Sequence, residues 1–92
     1  MTPPTDVADK IKALPLGTFT GTASGKRYVA TRSSFSAGRA TKLVAEELGG
    51  ADYISLNLYD LSKGGQLYPC EMPAAKVIAF VRAIIPDEGI QP

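Results

Sequence analysis

Histidine and tryptophan are absent from these 92 residues, and cysteine occurs once. Without histidine the chain lacks the usual general base, the Ser-His and Cys-His dyads and the commonest metal ligand. Cys70 alone makes no internal disulfide, and with no histidine beside it no common zinc set can be assembled. A core that must hold without a disulfide favours a reducing compartment. No apolar run approaches the length that spans a bilayer, so no membrane association is expected. The start, Met1-Thr-Pro-Pro-Thr-Asp6, has neither a basic end nor an apolar stretch, so no secretory signal is read and a cytoplasmic location is expected. Glu46 and Glu47 are adjacent and would point about 100° apart on a helix, which does not make a catalytic pair. Gly21-Thr-Ala-Ser-Gly25-Lys26 fails as a phosphate loop. It has three residues between the glycines where four are needed, and Arg27 stands where a Ser or Thr should be. We therefore expect no catalytic residue, no metal and no cofactor, and an enzyme is the least favoured class.

Acidic residues are missing from a long stretch. Between Lys10 and Ala45 there are seven bases and no acid, whereas Glu46 onward has seven acids and three bases; the net charge of +1 hides this. Such asymmetry points to an anionic partner, or to halves that complement each other within the fold or across a dimer.

What is present reads as one α+β domain over residues 5–88, with a flexible arm at 1–4 and a tail at 89–92. Apolar residues at 45% and charged residues at 21% are ordinary for a globular chain. A short helix is expected over 6–13, with Thr5 as its cap, Val7, Ile11 and Leu14 as its stripe, and Pro15 as its stop. Thr18–Ala23 and Lys26–Phe35 read as a hairpin about Ser24-Gly25. A two-residue turn pairs Phe19 with Ala30 and lays Tyr28 over Gly21. Ser36 then caps an expected helix with Ala40, Leu43, Val44 and Leu48 on its buried stripe and Gly49-Gly50 as its end. Asp52–Leu61 is the clearest strand: Ile54, Leu56 and Leu58 alternate with Tyr53, Ser55, Asn57 and Tyr59. A turn at Lys63-Gly64-Gly65 leads to a returning strand, Gln66–Met72, with Leu58 opposite Cys70. Pro69 marks that strand as an edge. A second helix begins at Pro73, with Val77, Ile78, Val81 and Ile84 inward. Thr41–Ala45 and Ala75–Ala79 align at an offset of 34, which suggests an internal duplication.

The expected architecture is thus two ββα units forming a four-stranded antiparallel sheet with both helices on one face. The opposite face would show Tyr53, Asn57, Tyr59, Leu61 and Leu67, too apolar and aromatic to be merely solvated. The leading functional reading is a non-catalytic interaction module that binds a protein partner, or a second copy of itself, through this face. The alternative is a single-stranded nucleic-acid-binding module. Tyrosines would stack bases while Lys26, Arg27, Arg32, Arg39 and Lys42 contact phosphates. The plainer reading is that the N-terminal helix folds over the face and closes it. Ser33–Arg39, leading into the helix expected after Ser36, is a further candidate anion site, with ordinary capping by Ser36 as the plainer reading.

Overall fold

Period-two alternation, not helical spacing, governs residues 40–47. In the computed structural model, which describes residues 1–61 and 64–87, Thr41, Leu43 and Ala45 point into the core while Lys42, Val44 and Glu46 point away. The expected helix over this stretch is therefore a strand, and the two-ββα architecture is replaced by a single meander. The chain runs α1 (Thr5–Ala13), β1 (Gly17–Ala23), β2 (Lys26–Phe35), β3 (Ala40–Glu47), β4 (Tyr53–Leu61), β5 (Gly64–Pro69), α2 (Ala74–Ala83) and β6 (Ile85–Pro86). The result is an α+β fold with two helices and a six-stranded antiparallel sheet ordered β5-β4-β3-β2-β1-β6. Four strands were expected; the extra two are β3 and the short β6. With one matched segment a strand and the other a helix, the proposed duplication has no structural counterpart.

The turn that converts the predicted helix into a strand is local. Ser36, Ala37 and Gly38 all have positive φ, and the Gly38 N–H donates to the Phe35 carbonyl. A residue at φ +57 is not an N-cap, so Ser36 reverses the chain from β2 into β3. Gly49-Gly50, expected as a helix end, lies in the loop between β3 and β4, where the Glu47 and Asp52 backbones bond across the turn.

Other elements follow the sequence closely. The β1–β2 hairpin turns at Ser24-Gly25, both at positive φ, and pairs Ala23 with Lys26, Gly21 with Tyr28 and Phe19 with Ala30. Helix α1 begins at Thr5 behind Pro4, so Thr5 is its first residue and not its cap. Ile84 closes α2, and the chain extends at once into β6 against β1. Gly21 lies opposite Tyr28 as expected and is also closely approached by this segment: a Cβ there would sit 2.7 Å from the Ile85 carbonyl oxygen.

Both helices pack on the same face. Val7, Ile11 and Leu14 join Val77, Phe80, Val81 and Ile84 over Phe19, Tyr28, Leu43, Ile54, Leu56 and Leu67 in one core. Each fully buried aliphatic side chain contributes about 1.5–3 kcal/mol. Arg82 and Asp6 tie the helices together at the surface, a contact that adds little in water. Arg32 lies on this helix side, where its Nε donates to the Leu14 carbonyl at 2.9 Å and caps the end of α1.

The β4–β5 register differs from expectation by an odd number of residues. Leu58 pairs with Leu67 and Leu56 with Pro69, so Leu67 turns inward and Cys70 outward. Gly64 and Gly65 open β5, while Ser62 and Lys63 lie outside the described residues. Strand β5 is an edge, as Pro69 suggested, and residues 1–3 lie along it. Met1 and Leu67 exchange both backbone bonds, at 2.7 and 3.1 Å.

Candidate interaction surface

The five strand registers fix the face opposite the helices row by row. Its central row is Thr18, Thr31, Val44 and Ser55, and Cys70 extends it through a bond from its N–H to the Ser55 carbonyl. On one side lies Ser33-Lys42-Asn57-Tyr68, then Phe35-Ala40-Tyr59-Gln66. On the other lies Thr20-Val29-Glu46-Tyr53, extended by Asp87, whose N–H donates to the Thr20 carbonyl, and then Thr22-Arg27. Among the described residues neither helix packs on this face, and α2 reaches only its edge, where the Lys76 ammonium lies 5.6 Å from the centre of the Tyr53 ring. α1, the element that would have closed it, packs beside α2 on the other side.

The face is part aromatic, part aliphatic and part hydroxyl. Phe35, Tyr53 and Tyr68 are 42, 43 and 50% exposed. Tyr59 and Tyr68 meet edge to face, with centroids 5.6 Å apart, the arrangement aromatic quadrupoles favour. Val29 and Val44 are half-buried between them. Asn57 Nδ2 contacts the Cys70 thiol at 3.8 Å.

Charge on this face is balanced. Arg27 is held by Asp87 through two bonds, at 2.8 and 2.7 Å, and also donates to Thr22. With Arg27 and the Thr20 hydroxyl both on it, the Asp87 carboxyl is held well below the usual carboxylate range. Lys42 and Glu46 are exposed, and neither side chain has a hydrogen-bond or ion-pair partner among the described residues.

A second polar cluster sits at the end of the sheet, around a cleft of about 200 Å³ between α2 and the β1–β2 hairpin. The Tyr28 hydroxyl donates to Asp52 at 2.8 Å, and Lys76 pairs with the other Asp52 oxygen at 2.8 Å. Burial and the bond to Asp52 push the Tyr28 phenol up to about 12. Lys76, then Tyr28, lower Asp52. The phenol keeps its proton and donates a hydrogen bond to Asp52, and with Lys76 on the same carboxylate the cluster fastens α2 to the sheet. Among the described residues, no three His, Cys, Asp or Glu side chains are grouped to hold a metal ion. No helix among them is long and apolar enough to cross a membrane.

The residues singled out from the sequence scatter. Tyr53, Asn57 and Tyr59 share the uncovered face. Leu67 is fully buried beneath the helices and leaves the candidate surface, because the odd shift in register moves it to the other side. The side chain of Leu61 lies outside the described set. Among the basic residues, Arg27 and Lys42 are on the uncovered face, Lys26 lines the Tyr28 cleft, Arg32 faces the helices and Arg39 is in the β2–β3 turn. They make no common patch, and no helix begins after Ser36 to hold an anion. Phe35, Val44, Glu46 and Tyr68 belong to the face and were missed. The alternation of Gln66 and Tyr68 with Leu67, and of Lys42, Val44 and Glu46 with Leu43 and Ala45, carried the signal. No family model, no curated protein and no solved structure matches this chain.

Proposed function

We propose that this chain is a non-catalytic interaction module that docks a protein on the uncovered face of its sheet. The supporting observation is the segregation of the molecule. Every described helix packs on one side, and Phe35, Tyr53 and Tyr68 stand out on the other around Val29 and Val44. Aromatic side chains among small hydroxyls, with few net charges, are the composition of a protein-binding core. Single-stranded nucleic acid has less support. The stacking rings are present, but the face holds one unpaired cation, Lys42, beside one unpaired anion, Glu46, among the described residues. A phosphate chain needs several cations along its path.

The test places a photo-cross-linking amino acid at Tyr68, and separately at the exposed Ala75 on α2, in cells making the full chain. Adducts of defined mass from position 68 alone, lost on Tyr53→Asp, support docking on the sheet. Equal adducts from both positions overturn it. A nuclease-sensitive adduct assigns the face to nucleic acid instead.

A further inference from the structure

We propose that the occupant of the sheet face is a second copy of this chain, stacked face to face about a two-fold axis that runs along the row Thr31-Val44-Ser55. The inference rests on the docking role given above and adds the partner and its geometry. It starts from the two charges that lack partners. On β3, Lys42 and Glu46 stand at equal distances on either side of Val44 and on the same face. A two-fold axis across the strands at Val44 makes β3 run antiparallel to its copy, and Lys42 of each chain then lies over Glu46 of the other. An axis along the strands would instead set Lys42 against Lys42 and Glu46 against Glu46. Charge complementarity therefore selects the first arrangement.

The geometry permits the contact. Lys42 and Glu46 are each about 7 Å along the strand from the axis. The usual rotation of about 30° between stacked sheets therefore displaces one from the other by only about 3.5 Å. Sheets pack about 10 Å apart, a gap that a lysine and a glutamate span together. Five strands and about seven residues of each give a face of about 24 by 23 Å, or roughly 1,100 Å² for the pair before side-chain relief. That approaches the lower end of specific interfaces and exceeds most incidental contacts.

Part of each sheet edge is already taken. The β5 edge is occupied by Met1, and the opposite edge is the two-residue β6, whose Pro86 has no N–H to give. The face is the broadest sheet surface left uncovered among the described residues. On the proposed axis Cys70 extends the central row and meets Cys70 of the second copy. With backbones about 10 Å apart the thiols are too far for an unstrained disulfide but within reach of a short bismaleimide.

Sedimentation equilibrium of the full chain, up to millimolar concentration, tests the arrangement together with bismaleimidoethane cross-linking. We expect a reversible dimer, linked through Cys70. Lys42→Glu and Glu46→Lys each weaken it about tenfold or more, since each reverses two contacts. The two variants mixed in equal amounts regain the wild-type affinity, because a chain carrying two acids at these positions then meets a chain carrying two bases, and both contacts are restored. A wild-type chain that stays monomeric overturns the second copy as occupant, while the cross-linking from position 68 decides separately whether a foreign protein docks there. A dimer indifferent to both charge variants but lost on Val44→Asp overturns this geometry and leaves docking on the face standing. A dimer indifferent to Val44→Asp as well forms elsewhere and overturns the second copy as occupant of the face, and the cross-linking from position 68 then decides whether a foreign protein docks there.

Discussion

Gly21→Ala probes why a two-residue strand closes the sheet. A methyl group at position 21 would lie 2.7 Å from the Ile85 carbonyl oxygen and 3.1 Å from both Ile84 Cδ1 and Pro86 Cα. The Ile84 methyl is the end of a flexible side chain and can turn away, whereas the other two atoms are backbone. Relief therefore requires β6 to move. Forcing one methyl into packed surroundings costs about 1–3 kcal/mol, and replacing a strand glycine returns about 0.5–1 kcal/mol through the unfolded chain. A net loss of about 0.5–2 kcal/mol is expected, and it is expected to be local. The Asp87 N–H, bonded to the Thr20 carbonyl at 2.9 Å, should exchange faster, while amides of the β3–β4 pair keep their protection. The same movement separates Asp87 from Arg27 and Thr20, so its carboxyl, now held low, should titrate closer to the ordinary carboxylate value. In the unaltered protein that pairing favours folding above the unfolded pKa of about 4 and is lost as the pH falls below it. Amide exchange by NMR, a carboxyl titration and urea unfolding read all three. Gly25→Ala is the control: nothing lies within 4 Å of its Cβ, so only its positive φ is strained and Asp87 should not respond. A Gly21→Ala protein as stable as its parent, with the Asp87 amide unchanged, would refute the close-approach argument.

Three further expectations separate the observed elements from those read off the sequence. Tyr28→Phe should cost about 1 kcal/mol through the lost bond to Asp52. It should also flatten the alkaline limb of the stability curve: a phenol raised to about 12 favours folding fully below about 10, and that contribution is lost as the pH rises toward 12. Unfolding curves of both proteins across pH 9–12 check this; equal alkaline slopes speak against a buried, bonded phenol. Leu67→Ala should cost about 2–5 kcal/mol as a core truncation and Tyr68→Ala far less; the reverse order in urea melts would restore the other register. Ala37→Gly should stabilise by about 0.5–1 kcal/mol because Ala37 sits at φ +58, whereas in a helix interior it would destabilise by about as much; thermal melts give the sign.

The sequence was legible wherever one periodicity dominated. The β1–β2 register was readable because Ser24-Gly25 marks a two-residue turn, which pairs Phe19 with Ala30. In β4, Ile54, Leu56 and Leu58 admit no helical alternative. In β3 the two patterns overlap: Ala40, Leu43, Val44 and Leu48 fit a helix, and Thr41, Leu43 and Ala45 fit a strand. Local propensity favours the helix, since Ala, Lys, Leu and Glu are good helix formers. The neighbouring strands override it by burying Leu43 and Ala45 between β2 and β4 and satisfying the β3 backbone on both sides. The candidate surface suffered from the same ambiguity. Its β4 tyrosines were found, while Val44 and Glu46 were hidden in a supposed helix. Leu67 was misplaced because two adjacent glycines did not say where the β4–β5 turn lies, and an odd shift in register exchanges the faces.

The split of charge along the chain also acquires a meaning that the one-dimensional pattern obscured. A run of seven bases without an acid suggests a basic patch only if the fold keeps the run together. Here β2 and β3 are antiparallel, so Lys26 and Arg27 lie at one end of β2 while Arg39 follows its other end, about 30 Å away. The register then brings Tyr28 beside Glu47 and Val29 beside Glu46, which places the first acids next to the first strand bases. Arg27 is drawn to Asp87 by the return of the chain into β6, and Arg32 is turned under the sheet to hold α1. Folding thus separates the cations and pairs Arg27 with the acidic half. Lys42 and Glu46 remain on the uncovered face, on one strand, two residues to either side of its centre. This remnant of the asymmetry cannot be satisfied by closing a strand on itself, but two copies in opposite directions satisfy it twice.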